Sequence, residues 1–317
     1  MVARTPQAAG QLGEHMHVRG QRGSEGDGGK VSRRALLLGG AGALAAAGGI
    51  GYAVERDNPT LRRLLGGCGS MPALPPDTST THRGTLQSAT MRRTISWTAA
   101  LPPGHQPGDG TPVVLCLHGR NGSADDLTRA SGLPAWASHA GLRLAFVAPS
   151  IGGADYWHPR ASGLDPLTMA VGEVLPMVEH GFGIGGTRAR RGVLGWSMGG
   201  FGALLAAQQH PDVFAAAVGA SPAVFPSYAD AKRGHPDTFD SEQQWENYGL
   251  WRRLDDLRAV AVRLDCGDAD PFAPTVRAML QRLPHAAGGI GAGCHDDAFW
   301  RRVAPAEVRF LAAQLSH

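Results

Sequence analysis

The chain is short of several things, and each shortage removes a class of protein. Among 317 residues there are four cysteines, too few for a disulfide scaffold. Only one stretch approaches membrane-spanning length, which excludes a multipass membrane protein. Aromatics reach only 6% and charged residues 18%, but 43% of the chain is hydrophobic. A core can therefore be buried, and disorder as the dominant state is excluded. An excess of one charge sign is missing too. Residues 1–34 hold six basic groups against three acidic ones, leaving 24 of each in the rest. A balanced body offers no electrostatic footprint for nucleic acid. Glycine, at 45, is plentiful but follows no collagen-like period.

The charge asymmetry belongs to a leader. Lys30, Arg33 and Arg34 precede twenty uncharged residues, Ala35 to Val54. A positive segment before an apolar run is the physical pattern of a signal peptide. The Ser32-Arg33-Arg34-Ala35-Leu36-Leu37 sequence resembles a twin-arginine signal. It implies the twin-arginine export machinery as a partner and a secreted or cell-envelope location; left uncut, the segment is a membrane anchor. The expected organisation is a disordered stretch over 1–30, the signal or anchor over 31–54, a Pro/Gly-punctuated linker over 55–81 and one catalytic domain over 82–317.

Within that domain, Arg83–Met91 and Arg93–Leu101 alternate as an antiparallel pair at a sheet edge. Val113–Leu117 is a continuous apolar run, as expected for a strand buried on both faces. Comparable runs follow at Leu142–Ala148, Gly192–Trp196, Phe214–Val218 and Val260–Leu264. Helical stretches separate them at Ala124–His139, Pro166–His180, Met198–His210 and Pro271–Leu283, and Ala298–Leu315 closes the domain. This alternation predicts an α/β fold with a mostly parallel central sheet covered by helices on both faces. In such sheets function gathers at the carboxyl ends of the strands.

One such end carries Gly195-Trp196-Ser197-Met198-Gly199-Gly200. An apolar strand leads in and a helical run leads out, the context in which Gly-x-Ser-x-Gly makes a tight strand–turn–helix elbow. Ser197 is the expected nucleophile. A serine hydroxyl needs a base to take its proton and an anion to orient that base, here in the order acid, then histidine. Leu264-Asp265-Cys266-Gly267-Asp268-Ala269-Asp270-Pro271 offers three carboxylates at a strand end. Asp270, past the strand and before a helix-starting proline, is the chosen acid, and Asp268 is the second candidate. His295, in a Gly-rich loop opening the last helix, is the chosen base; His285 also follows the acid but sits nearer the preceding helix.

After the first buried strand comes Leu117-His118-Gly119-Arg120-Asn121-Gly122, where backbone N–H groups can hold an oxyanion. The amides of Arg120 and Met198 are the expected pair. Trp196, Trp157 and His118 are candidate substrate-pocket residues, although at this loop His118 more often braces the turn. Tyr156 and His158 are further pocket candidates. Between Phe225 and Leu254 an aromatic-dotted insertion (His235, Trp245, Trp251) either shapes the cleft or packs on the domain. No His/Cys spacing resembles a zinc site, and a serine mechanism calls for no metal or cofactor.

These segments, with Ala220-Ser221-Pro222 and Gly293-Cys294-His295, resemble the α/β-hydrolases of the putative-esterase family across residues 82–315. That family includes esterase D, feruloyl-esterase and antigen 85 types. The resemblance implies Ser197 as nucleophile, His295 as base and Asp270 as acid. It implies carboxylic-ester hydrolysis through an acyl-enzyme, on a small-molecule or polysaccharide-linked ester. The alternatives are a mycolyltransferase-type acyltransferase acting on envelope or sugar alcohols, and a non-catalytic envelope-binding module. Cys266 and Cys294 flank the acid and base, and a disulfide between them is the expectation.

Overall fold

The computed structural model describes residues 67–153 and 155–315. The expected leader over 1–30 and signal over 31–54, and most of the expected linker, lie outside the described residues. Eight strands form one sheet: β1 (Thr80–Ser88), β2 (Arg93–Leu101), β3 (Val113–Leu117), β4 (Ala145–Pro149), β5 (Arg191–Trp196), β6 (Ala216–Ala220), β7 (Ala261–Gly267) and β8 (Ala287–Gly291). Their spatial order is β1-β2-β4-β3-β5-β6-β7-β8. β1 and β2 join antiparallel and β2 meets β4 antiparallel, whereas every pair from β4 to β8 is parallel.

The continuous apolar runs are buried on both sides because helices cover both faces. Seven helices matter here: α1 (Leu133–His139), α2 (Leu175–Phe182), α3 (Met198–Gln209), α4 (Tyr228–Gly234), α5 (Glu242–Tyr248), α6 (Ala273–Arg282) and α7 (Asp297–Leu315). On one face Leu115, Leu117, Val193 and Leu264 pack with Phe201, Leu204 and Val276. On the other, Val114, Cys116, Leu194 and Val218 pack with Leu133, Val308 and Leu311. Each such fully buried side chain contributes about 1.5–3 kcal/mol by leaving water. Among the described residues no helix is long and apolar enough to cross a membrane.

Three sequence expectations change. The run over Ala124–His139 is broken: Asp126–Arg129 forms one turn, and Gly132, at φ 63°, restarts the chain into α1. β8 replaces an expected loop, its Gly-rich backbone pairing with Arg263–Gly267 of β7. The expected linker is a linker only in part. Residues 68–74 lie on the domain, with Arg301 and Arg302 of α7 donating to the carbonyls of Pro72, Ser70 and Cys68.

Candidate active site

The carboxyl-end side of the parallel strands opens on one cleft of about 620 Å³, lined by Ser197, His295, Arg120, Tyr156, Trp196, Phe272 and Trp300 among others. Ser197 lies just past β5, which is flanked by β3 and β6, at φ 56° and ψ −120°. That left-handed geometry is strained for serine and persists only where the surroundings over-determine it. They do so here. The Ser197 N–H donates to Ala220 O at 2.9 Å, and its carbonyl accepts from Ala223 N–H and Phe201 N–H. Gly199 passes so close to β3 that a Cβ there would overlap the carbonyl oxygen of Leu117.

His295 Nε2 lies 2.8 Å from Ser197 Oγ, and His295 Nδ1 lies 2.7 Å from Asp270 Oδ2. Asp270 is buried, and its Oδ1 accepts from the Phe272 N–H at 2.8 Å. Both carboxylate oxygens are thereby fixed, and the imidazole is held with Nδ1–H toward Asp270 and Nε2 toward the serine. The competing carboxylates do other work. Asp268 Oδ1 accepts from Gly293 N–H at 3.0 Å and so ties down the histidine loop. Asp265 turns to the opposite side of β7 from Cys266 and accepts from Nε and Nη2 of Arg263, at 2.6 and 2.9 Å.

The Met198 amide opens α3, where the first N–H groups of a helix have no intrahelical partner. Arg120 lines the cleft from the loop after β3. Its guanidinium forms a two-pronged pair with Asp237, at 2.9 and 2.6 Å, across 117 residues of sequence.

Two of the three expected pocket residues sit elsewhere. Trp196 lines the cleft, but Trp157 and His118 are buried beneath it. Trp157 packs against Gly202 of α3 and donates its indole N–H to the His118 carbonyl at 3.1 Å. His118 donates from Nδ1 to Gly119 O (2.7 Å) and accepts the Ile151 N–H at Nε2 (3.1 Å). Burial lowers its pKa, so it stays neutral and braces the loop. His158 is likewise buried, stacked between Phe239 and Tyr248, and burial lowers its pKa to about 4.

The insertion divides its labour. His235 lines the cleft and Asp237 pairs with Arg120, whereas Trp245 is buried and donates to the Phe225 carbonyl at 3.2 Å. Sequence reasoning missed Asp237 and Trp300. Asp237 carries no local signal, since its partner is remote, but Trp300, five residues beyond His295 at the start of α7, is on the helix face that returns to the cleft.

The cysteine expectation is overturned. Cys294 is bonded to Cys68, 226 residues away, and Cys266 is a free buried thiol. The reason is the alternation of side chains along β7. Cys266 faces the core that contains Val276 and Met279, whereas Cys294 sits with Cys68 and Ala269 in a separate cluster.

The sheet is that of the α/β-hydrolase fold, and a serine on an elbow facing an imidazole and a carboxylate defines the class of serine ester hydrolases. The chain belongs to the family described as "Putative esterase", whose pattern it matches over residues 88–285. It is 33% identical over 169 residues to "Putative esterase NocK" of Nocardia uniformis subsp. tsuyamanensis; the match spans 51% of this chain and 44% of that relative, less than half its length. Among solved structures, a ferulic acid esterase superposes with a TM-score of 0.64 at 23% identity, over 74% of this chain and 98% of its own. The S-formylglutathione hydrolase of Agrobacterium tumefaciens gives 0.63 at 19%, over 78% and 98%. MPT51 of Mycobacterium tuberculosis gives 0.61 at 17%, over 74% and 99%. At these identities the structural likeness speaks to the fold alone.

Proposed function

We propose that this chain hydrolyses carboxylic esters with Ser197 as nucleophile, His295 as general base and Asp270 as its orienting acid. Ser197 Oγ attacks the ester carbonyl while His295 Nε2 takes its proton and passes it to the departing alcohol. A water activated by the same nitrogen then releases the acid. The amides of Arg120 and Met198 hold the tetrahedral oxyanion. One observation carries the reading: the unbroken 2.8 Å and 2.7 Å contacts from serine through imidazole to carboxylate. The aromatic walls Trp196, Phe272 and Trp300 suit an apolar or aromatic group on either side of the ester, free or linked to a polysaccharide.

Labelling with a fluorophosphonate probe tests it. Ser197 takes the label in the native protein, and His295→Ala loses it; unchanged labelling in that variant ends the proposal. A panel of p-nitrophenyl esters of rising chain length then sizes the acyl site.

Export through the Arg33-Arg34 signal completes the reading. The Cys68–Cys294 disulfide supports it, since such bonds persist in oxidising compartments. Arg33→Lys with Arg34→Lys is expected to leave the protein in the cytoplasm; normal export of that double variant refutes the assignment.

A further inference from the structure

The histidine arrives on a glycine-rich segment at the edge of the sheet. Residues 287–293, Ala-Gly-Gly-Ile-Gly-Ala-Gly, contain four glycines and follow the edge of the sheet. Glycine loses more conformational freedom on folding than any other residue, so such a segment holds its cargo poorly by itself. Residues 287–291 are held by the ladder to β7; past the ladder the backbone is tied by Asp268 N–H to Gly291 O, Ala269 N–H to Gly293 O, and Gly293 N–H to the Asp268 carboxylate. The next residue, Cys294, is buried, lines the cleft and immediately precedes His295.

Cys294 is bonded to Cys68, and Cys68 is itself anchored. Arg302 donates to the carbonyls of Cys68 (2.9 Å), Ser70 (3.0 Å) and Ala292 (3.3 Å), so one guanidinium grips both sides of the disulfide. Arg301 donates to Pro72 O and also to Arg129 O and Ala130 O. Leu74 then fills the space beside Gly132. The segment before β1 is therefore fastened to α7 and to the chain leading into α1 at several points, and its Cys68 holds the histidine loop covalently.

We infer that Cys68 is a positioning residue for His295: the Cys68–Cys294 bond makes the segment preceding the domain part of the catalytic apparatus, and the enzyme works at full rate only when that bond is intact. This inference rests on His295 acting as base at Ser197. Most of the cleft wall stands apart from the strap: Trp196, Tyr156, Arg120 and Phe272 are on other segments, and Cys294 is the one residue of the bonded pair that lines it. Loosening the loop withdraws the imidazole from a 2.8 Å contact needed in the transition state, so the loss falls on kcat and not on KM.

The experiment uses the full chain with a p-nitrophenyl ester. An added dithiol supplies two electrons and two protons, closing to its own cyclic disulfide while Cys68 and Cys294 become thiols. Alkylation and mass spectrometry verify that these two cysteines are the ones freed. Reduced protein with unchanged circular dichroism is expected to lose roughly 10- to 100-fold in kcat, with KM within about two-fold, and to recover on reoxidation. Cys68→Ser is expected to show the same loss without the dithiol and none further with it. A reduced, folded wild type that keeps its kcat overturns the inference, as does a loss in KM alone. If Cys68→Ser does not fold, reduction of the folded wild type decides. Ser197→Ala and His295→Ala separate the two readings: turnover surviving in them refutes the catalytic assignment, whereas its loss there beside a fully active reduced enzyme refutes only the strap.

Discussion

Ser197 stands inside the sheet and His295 beyond its edge, and the two are held by opposite means although they meet at 2.8 Å. The serine is fixed by crowding. Strands β3 and β6 flank it, and α3 packs so closely on β3 that only glycine fits at position 199. The histidine is fixed by tethers: a carboxylate on one nitrogen, an Asp268 bond to its loop and a disulfide at the adjoining residue. Crowding works where the backbone is surrounded. At the edge no further strand covers the backbone, so the packing of Phe272 and Trp300 on the imidazole is supplemented by discrete bonds.

The largest effect comes from cutting the tether at its chemical end. In Asp270→Asn the side-chain oxygen keeps its bond from the Phe272 N–H, which turns the amide NH2 toward His295 Nδ1. The imidazole proton must then move to Nε2, where it blocks uptake of the serine proton. kcat should fall on the order of 10³–10⁴-fold with little change in melting temperature. A fall below ten-fold would show that Asp270 does not set the tautomer.

Breaking the crowded side instead should cost the fold. Gly199→Ala forces α3 away from the Leu117 carbonyl, and overpacking of that kind costs about 3 kcal/mol. Urea denaturation should show the loss, with activity falling because the elbow has moved. A stable, active Gly199→Ala would mean that the elbow yields and the contrast between the two regions is wrong.

A third change sharpens the comparison by touching neither region. Glu307 of α7 is 2% exposed, beside the Arg263–Asp265 pair beneath the sheet, and one of its carboxylate oxygens is without a partner among the described residues. Burial, and secondarily the Asp265 charge, pushes its pKa well above the carboxylate range. Its folded-state pKa is therefore the higher one. The stability tied to its proton is present below about pH 4.3 and is lost as pH rises toward the folded value. As pH rises from 5 toward 8 the protein should lose stability, and Glu307→Gln should flatten that slope. Equal slopes in urea titrations of the two proteins would show that Glu307 ionises freely.

Legibility followed the same divide between crowded and tethered parts. β3 and β5 were readable because residues buried on both faces must be apolar without interruption, and the elbow because its glycines are local necessities. β8 was not, since Ala287–Gly291 has no alternating pattern and becomes a strand only by pairing with β7. Asp270 and His295 could be proposed from chain order, but the partner of Cys294 could not. Cys68 lies in what reads as a linker, and nothing in its neighbours reveals the arginines of α7 that hold it there. Trp157 and His118 look like pocket residues by position. Their burial depends on Gly202 of α3 leaving room for the indole, a fact of packing and not of pattern.

The smallest effect tests whether tethering extends to the cleft mouth. The Arg120–Asp237 pair links the oxyanion loop to the insertion, and both side chains are well exposed, at 36% and 42%. Exposed pairs contribute little, about 0–1 kcal/mol, because water screens them and ordering two side chains costs entropy. Asp237→Ala should therefore leave thermal unfolding nearly unchanged and alter kcat/KM by no more than several-fold. The Arg120 amide is placed mainly by the loop that neutral His118 braces from below. A loss of a hundred-fold or more in kcat would instead make the insertion a third tether, holding the oxyanion donor as the disulfide holds the imidazole.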